Sequence, residues 1–432
     1  MQQETLSGIR KTSNKMNGTK HLIEKTFKDF GMFKGHIKYQ NATSRLEDLY
    51  RKDEDIRHPF ERDYHRILYS NAYRRLKHKT QVFFNTNNDH ICTRIEHVNH
   101  VSSVAETIAE FLGLNPWLVR AIAVGHDLGH SPFGHTGEKI LNKIVRDNKL
   151  SKNFWHEKNS LRFIDKIETM PDYEGYERNL NLSYAVRDGI ICHCGEVDEE
   201  ALKPRDEFID LESIQNANQF QSYTYEGCVV KISDKIAYLG RDIEDALSKR
   251  ILEEEQKVEL EGIVENLFGH KKLKDINTTS LVHLFIIDLC KNSNPNDGLK
   301  FSKEYFEIMK TIKRFNYQNI YSHPRLKTFE DYASLIINTI FNKLLEYYSG
   351  IDSIYKLQND EKFYPLLCEH FKDWLLKYSN ASDKIYRDNK KFINKIIYDI
   401  NDVNDYKIAI VDFISGMTDS FSIKIFNELI AF

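Results

Sequence analysis

His126 and Asp127 stand side by side in the string Ala-Val-Gly-His-Asp-Leu-Gly-His-Ser-Pro-Phe-Gly-His. Side chains that share a helix face lie three or four residues apart. An adjacent imidazole and carboxylate therefore converge on one point only where a helix ends and the chain turns. Gly125 and Gly129 supply the loosened backbone for such a turn. Imidazole nitrogen beside carboxylate oxygen suits magnesium or a divalent first-row ion better than a thiolate-loving one. The spacing predicts metal-assisted chemistry.

Two helices supply further candidates. From Arg94 to Leu112, Val101, Val104, Ile108 and Leu112 recur at three- and four-residue steps, and His97 lies on the same inward stripe. A helix opening at Pro116, a residue favoured at a first position, runs to Asp127 and delivers the His-Asp pair. A third, from about Cys228 to Leu247, puts Val230, Asp234, Ala237, Tyr238, Arg241 and Asp245 on one face, with Asp242 one step round. Asp234 then points inward, a costly position for a lone carboxylate. His97, His126, Asp127 and Asp234 together offer two nitrogens and two oxygens, with positions left open for water and substrate. Taken singly, His97 reads more readily as a core histidine and Asp234 as a partner of Lys235; the four together carry the metal reading. Six of the seventeen histidines (His97, His100, His126, His130, His135 and His156) fall within this stretch, more than even scattering would place there.

The ordered pattern His97, His126-Asp127, Asp234 resembles the HD superfamily of metal-dependent phosphohydrolases. Longer strings narrow the resemblance to the deoxynucleoside triphosphate triphosphohydrolases, which include bacterial dGTPases. These strings are Arg74-Arg75-Leu76-Lys77-His78-Lys79-Thr80-Gln81-Val82-Phe83, Arg94-Ile95-Glu96-His97, and the run from His126 through Gly134-His135-Thr136-Gly137-Glu138. Phe154-Trp155-His156-Glu157-Lys158-Asn159-Ser160 and Ser415-Gly416-Met417-Thr418-Asp419 are similar to two later family strings, so the likeness runs from about residue 50 to 420. Trp155, Glu157 and Asn159 depart from the family string, which leaves a plain surface histidine open as the alternative for His156.

The resemblance implies an all-α HD-domain helical fold and attack at the α-phosphorus of a dNTP, releasing deoxynucleoside and inorganic triphosphate. It implies a divalent metal (manganese, magnesium, iron, cobalt or nickel) on the four ligands. His135 and Glu138 match the pair that activates water, His156 the proton donor to the leaving 5′ oxygen, and His130 belongs with this catalytic set. Arg94 and Lys235 match phosphate contacts, with Lys313 or Arg314 on a looser match. Gln81 and Asp242 match contacts to the sugar 3′-hydroxyl, and Tyr238 and Tyr321 match aromatics against sugar or base. A homo-oligomer, from dimer to hexamer, and a second dNTP as allosteric activator follow from the same likeness. The alternatives are an HD phosphohydrolase of another nucleotide class and a catalytically silent sensor of nucleotide or nucleic acid.

Composition sets the frame. The 432 residues divide into a polar arm (1–50), the HD core (51–250) and a C-terminal helical region completing the cleft (251–432). A formal net charge of −3 provides no overall basic field for nucleic acid or an anionic membrane. Only 19 glycines and 8 prolines accompany 41% hydrophobic residues, the composition of a helical chain. The first residues show no secretory signal and no long apolar run marks a membrane span, so a cytoplasmic location is expected. Cys192-His193-Cys194 suggests a soft-metal site but lacks a second ligand pair, and the six cysteines read as reduced thiols. A helix is expected over 55–76. A small β-hairpin should follow, with Lys79–Phe84 as its strand and 85–89 as its turn.

Overall fold

The helices that carry the chemistry begin at caps supplied by the sequence. In the computed structural model, which describes residues 27–49, 55–83, 91–150, 153–194, 198–268 and 276–431, the helix Arg94–Leu112 opens at Thr93. Glu96 reaches back to accept from the Thr93 backbone N–H at 2.7 Å. It closes at Gly113, whose φ of 80° is the left-handed conformation that glycine adopts without strain. The next helix, Pro116–Gly125, is capped by Asn115, whose side chain accepts from the N–H groups of Trp117 and Leu118. Thr224 caps the long helix Tyr225–Ser248 through the N–H of Gly227.

Val98, Val101, Ala105 and Ile108 lie fully buried between these three helices. Each of the larger aliphatics contributes about 1.5–3 kcal/mol by leaving water. Their common core sets His97, the His126-Asp127 turn and Asp234 in fixed register.

The stretch expected as one helix over 55–76 is divided. Pro59–Tyr69 is a helix capped by His58 and Glu61. Ser70 then turns extended (ψ 153°), and its hydroxyl accepts from the N–H of Tyr73 to start Asn71–Arg75, followed by a 3-10 turn over Leu76–His78. A serine that bonds nearby backbone competes with helix continuation. Of the expected N-terminal arm, the described part contains a 3-10 turn, Phe27–Phe30, and a short helix, Tyr39–Ala42. Residues 1–26 lie outside the described residues.

The expected hairpin at 79–89 is not a ladder in its described part. Thr80 makes a single antiparallel bridge to Thr93, residues 81–83 bend away, and 84–90 lie outside the described residues. Tertiary bonds use this segment's polar groups instead. The two-stranded antiparallel sheet pairs Thr169–Pro171 with Glu177–Asn179, in register Thr169 to Asn179. Asp172 makes its turn by accepting the N–H groups of Glu174 and Tyr176 at 2.9 Å each. With 64% helix and this one sheet among the described residues, the fold is all-α.

The C-terminal helices reach back to the site. Pro324–Glu346 packs against Gly134–Asp147, Val403–Ser415 and Asp419–Ile430. Lys79 Nζ donates to the Ser415 carbonyl at 3.0 Å and also to that of His130. Asp419 accepts from the backbone N–H of Thr80 at 2.9 Å and of Phe133 at 2.8 Å. Phe133 (φ 65°) and Gly134 (φ 60°) form consecutive left-handed residues that swing the chain into the Gly134–Asp147 helix. Such a conformation costs an aromatic residue about 1–3 kcal/mol, and the bond to Asp419 opposes it.

Candidate metal centre and active site

The Pro116–Gly125 helix ends just before His126. His126 Nδ1 lies 2.6 Å from the Ala123 carbonyl, so this nitrogen carries the proton and donates. Nε2 keeps its lone pair, buried and without a hydrogen-bond partner. It lies 3.4 Å from Asp127 Oδ1 and 3.9 Å from Asp234 Oδ1. His97 Nε2 is 2.9 Å from Asp234 Oδ1 and 4.0 Å from Asp127 Oδ2. Ligands about 2.0–2.2 Å from one ion sit at comparable separations from one another. The orphaned lone pair of His126 among these carboxylates is what a cation site requires. His97, His126 and Asp127 place ligand atoms within 4.8 Å of one another, and Asp234 adjoins them through its contacts to the two imidazoles.

Charge is balanced within this cluster. Burial opposes ionisation of Asp234, but the hydrogen bond and charge of His97 outweigh it and hold the carboxyl at about 2. Burial likewise opposes Asp127, yet His126, His130 and Arg94 keep it well below the usual carboxylate range. Arg94, itself buried, donates from Nη1 to Asp127 Oδ2 at 2.6 Å. His130 Nε2 lies 3.1 Å from Asp127 Oδ1, while burial and the Arg94 charge keep its ring neutral.

A second cluster adjoins the first. His130 stacks on His156 with ring centroids 3.9 Å apart. Glu138 Oε2 accepts from His156 Nδ1 at 3.1 Å and lies 3.4 Å from His135 Nδ1, one helical turn away. Burial works against charge on His156, but Glu157 and Glu138 outweigh it and lift the imidazole to about 10. The helix His156–Arg162 is laced to the metal-site turn. Ser160 Oγ donates to the His126 carbonyl at 2.7 Å and accepts from the Gly129 N–H at 2.9 Å. Only glycine fits at 129, because a Cβ there would stand 2.1 Å from the Ser160 nitrogen.

The remaining candidates line the surroundings. The Tyr321 hydroxyl donates to Asp242, whose carboxyl is pushed up to about 7 by burial. Asp242 feels the charges of His97 and His135, which puts this pair at the edge of both clusters. Gln81 Oε1 is buried without a hydrogen-bond partner, and its backbone carbonyl accepts from Arg94 Nη2 at 3.4 Å. Tyr238, half-buried, sits one turn beyond Asp234. Lys235 and Lys313 flank Asp198, at 3.6 and 2.6 Å. Burial, reinforced by Lys313, lowers the Lys235 ammonium to about 8. Arg314 is exposed.

One residue of the site escaped the sequence reading. His193 is buried, its ring centroid 4.8 Å from that of His126 and 5.5 Å from that of His156. The thiols on either side of it are buried, and burial pushes Cys192 well above the usual range. Cys-His-Cys drew the reading toward thiolate chemistry, and nothing in the spacing marks the imidazole alone.

The HD domain family model matches residues 94–239, and the phosphohydrolase-associated domain matches residues 299–362. A deoxyguanosinetriphosphate triphosphohydrolase-like protein of Caldanaerobacter subterraneus subsp. tengcongensis is 36% identical over 70% of this chain and 76% of its own length. Proteins of the same description from Rickettsia bellii (31% identical over 88% and 94%) and Clostridium tetani (32% over 87% and 86%) extend the likeness over most of the chain. The chain belongs to the deoxyguanosinetriphosphate triphosphohydrolase-like family of HD-domain proteins. It is an HD phosphohydrolase with His/Asp groups able to hold a metal ion. Among the described residues no helix is long and apolar enough to cross a membrane.

Proposed function

We propose that this HD phosphohydrolase splits deoxynucleoside triphosphates into deoxynucleoside and inorganic triphosphate. The observation that carries the reading is the contact between two chemically distinct clusters, joined where His130 stacks on His156. One is a carboxylate–imidazole set suited to a cation and the other is a carboxylate-backed, proton-bearing imidazole. A phosphate ester whose leaving group is an alkoxide needs both charge neutralisation and a proton.

His97, His126, Asp127 and Asp234 would hold a divalent ion (manganese, magnesium, iron, cobalt or nickel), which when bound would supply Lewis-acid polarisation of the α-phosphate. His135 and Glu138 hold the attacking water and draw off its proton. The water oxygen bonds to the α-phosphorus as the bond from phosphorus to the 5′ oxygen breaks. His156, protonated at neutral pH, gives its proton to that oxygen. His130 keeps Asp127 oriented and supports the His156 ring. Lys235 binds phosphate with Arg94, and Lys313 extends that charge. Gln81 and Asp242 bind the sugar 3′-hydroxyl, and Tyr238 and Tyr321 pack against sugar or base. A site closed around C2′ rejects ribonucleotides, since an added hydroxyl needs room and a partner. The family's oligomers and nucleotide activation extend to this chain under the same reading.

The test is to incubate manganese-loaded protein with each dNTP and NTP and to separate the inorganic products by ion chromatography. Tripolyphosphate from dNTPs is the expected product. Orthophosphate or pyrophosphate would point to another phosphohydrolase chemistry, and no product from any nucleotide mixture to a silent sensor. Asp127→Asn is expected to abolish both bound manganese and turnover.

A further inference from the structure

Two carboxylates share one imidazole nitrogen. His156 Nδ1 lies 3.1 Å from Glu138 Oε2 and 3.5 Å from Glu157 Oε2. Glu138 also accepts the His156 backbone N–H through Oε1 at 3.2 Å. The two acids differ in their access to water, with 16% of the Glu138 side chain exposed against 2% of Glu157. Glu138 faces His135 as well, and in the proposed reaction it holds the attacking water. Glu157 has no part in that reaction as described, and it is one of the residues at which this chain departs from the family string.

A carboxylate that takes up a proton loses its charge. Once Glu138 has drawn off the water's proton, it no longer balances the His156 imidazolium. A buried charge left without a partner is costly. Burial disfavours charge on His156, and of the charges that outweigh it Glu157's is the largest, ahead of Glu138's. Burial likewise raises the Glu157 carboxyl, and the His156 charge opposes that rise, so each residue is ionised on the other's account. The Cys194 thiol hydrogen-bonds to Glu157. The rings of His130, His135 and His193 also face His156. Asp127 adds a smaller charge, and its Oδ2 is committed to Arg94.

We propose that Glu157 is the positioning residue of the proton donor, its buried carboxylate holding the Nδ1 side of the His156 ring while Glu138 serves the water. The inference rests on the roles proposed above for His156 and Glu138. In the step itself Glu138 gains the water's proton, the water oxygen bonds to phosphorus, and the 5′ oxygen leaves with the Nε2 proton of His156. His156 keeps its Nδ1 proton, and the proton count of the protein is unchanged.

The test compares Glu157→Gln with the unaltered full chain, both loaded with magnesium. Glutamine keeps an acceptor of similar shape near Nδ1 and removes the charge. With isotope-labelled histidine, the ring Cε1–H resonance of His156 is assigned by its loss in His156→Asn and followed against pH without nucleotide. It is expected to titrate near pH 10 in the unaltered chain and about one pH unit or more lower in Glu157→Gln. With dNTPs, kcat should fall about 10-fold or more while KM stays within about twofold, and the alkaline limb should move down with the resonance. Glu157→Asn replaces the glutamine variant if circular dichroism shows that it does not fold. An unmoved titration in the folded variant, or a loss that falls on KM in place of kcat, overturns the proposal. An unmoved titration in a protein that yields tripolyphosphate would remove Glu157 and leave the proposed function intact. A lowered titration in a protein that yields another product would keep the ion pair and remove that function.

Discussion

Arg94 Nη1 donates to Asp127 Oδ2 at 2.6 Å, and this guanidinium–carboxylate pair lies almost wholly out of water. One nitrogen of Arg94 is therefore committed to orienting a candidate metal ligand, whatever the rest of the group offers to phosphate. Removing one partner of a buried pair typically costs about 3–5 kcal/mol, because the other charge is left uncompensated. Arg94→Ala is predicted to lower stability on that scale in urea unfolding. Added manganese should restore more of the loss than it adds to the unaltered chain. Equal stability of the two proteins would remove the pair from this role.

In its proposed role as proton donor, His156 is predicted to set an upper pH limit on turnover. Its pKa is raised from 6.5 to about 10, so the stabilising charge is fully present below pH 6.5 and is lost as pH rises through about 10. The proposed proton-donor role predicts that kcat/KM falls over the same upper window. We predict that His156→Asn lowers kcat by about 100-fold or more and flattens the alkaline limb. An unchanged limb in that variant would assign it to another group.

Asp242 gives a prediction of the same sign in a lower pH window. Burial raises its carboxyl from 3.8 to about 7. Between those values the folded chain binds the proton more tightly than the unfolded one, so stability from this residue falls as pH rises through the window. Asp242→Asn keeps an acceptor for the Tyr321 hydroxyl and cannot ionise. It should be less stable relative to the unaltered protein at pH 4 than at pH 8, which paired thermal melts would show. A pH-independent difference would refute the assignment.

Asp419 is predicted to govern catalysis without touching the metal. Its carboxylate takes the N–H groups of Thr80 and Phe133, next to Gln81 and one residue before the helix that carries His135 and Glu138. Leaving such buried donors unpaired costs about 1–3 kcal/mol each. In Asp419→Ala, kcat should fall while bound manganese persists. Phe133→Gly in that background should recover part of the stability, because glycine adopts the left-handed conformation freely. Loss of metal together with activity would contradict this division.

What could be read from the sequence follows how local each signal is. The His126-Asp127 pair declared itself by adjacency. His97 and Asp234 were legible because helical periodicity fixes which side chains turn inward, and the core helices of 94–112 and 225–248 behave as that periodicity requires. Lys79–Phe84 looked like a strand because its alternation ignores long-range partners, yet Thr80 bonds to Asp419, more than three hundred residues away. The strands at Thr169 and Glu177 are three residues each, too short for a period to register. His193 was hidden for the reverse reason. Its flanking cysteines suggested chemistry of their own, and only tertiary packing brings its ring beside His126.

The Asp419 tether also orders events during synthesis. All four candidate metal ligands precede residue 235, so a chain still emerging from the ribosome holds them long before the carboxylate that pins the Phe133 turn is made. The Phe133 turn, and with it the start of the helix that carries His135 and Glu138, can therefore take its pinned form only once the Asp419–Ile430 segment has been made and docked.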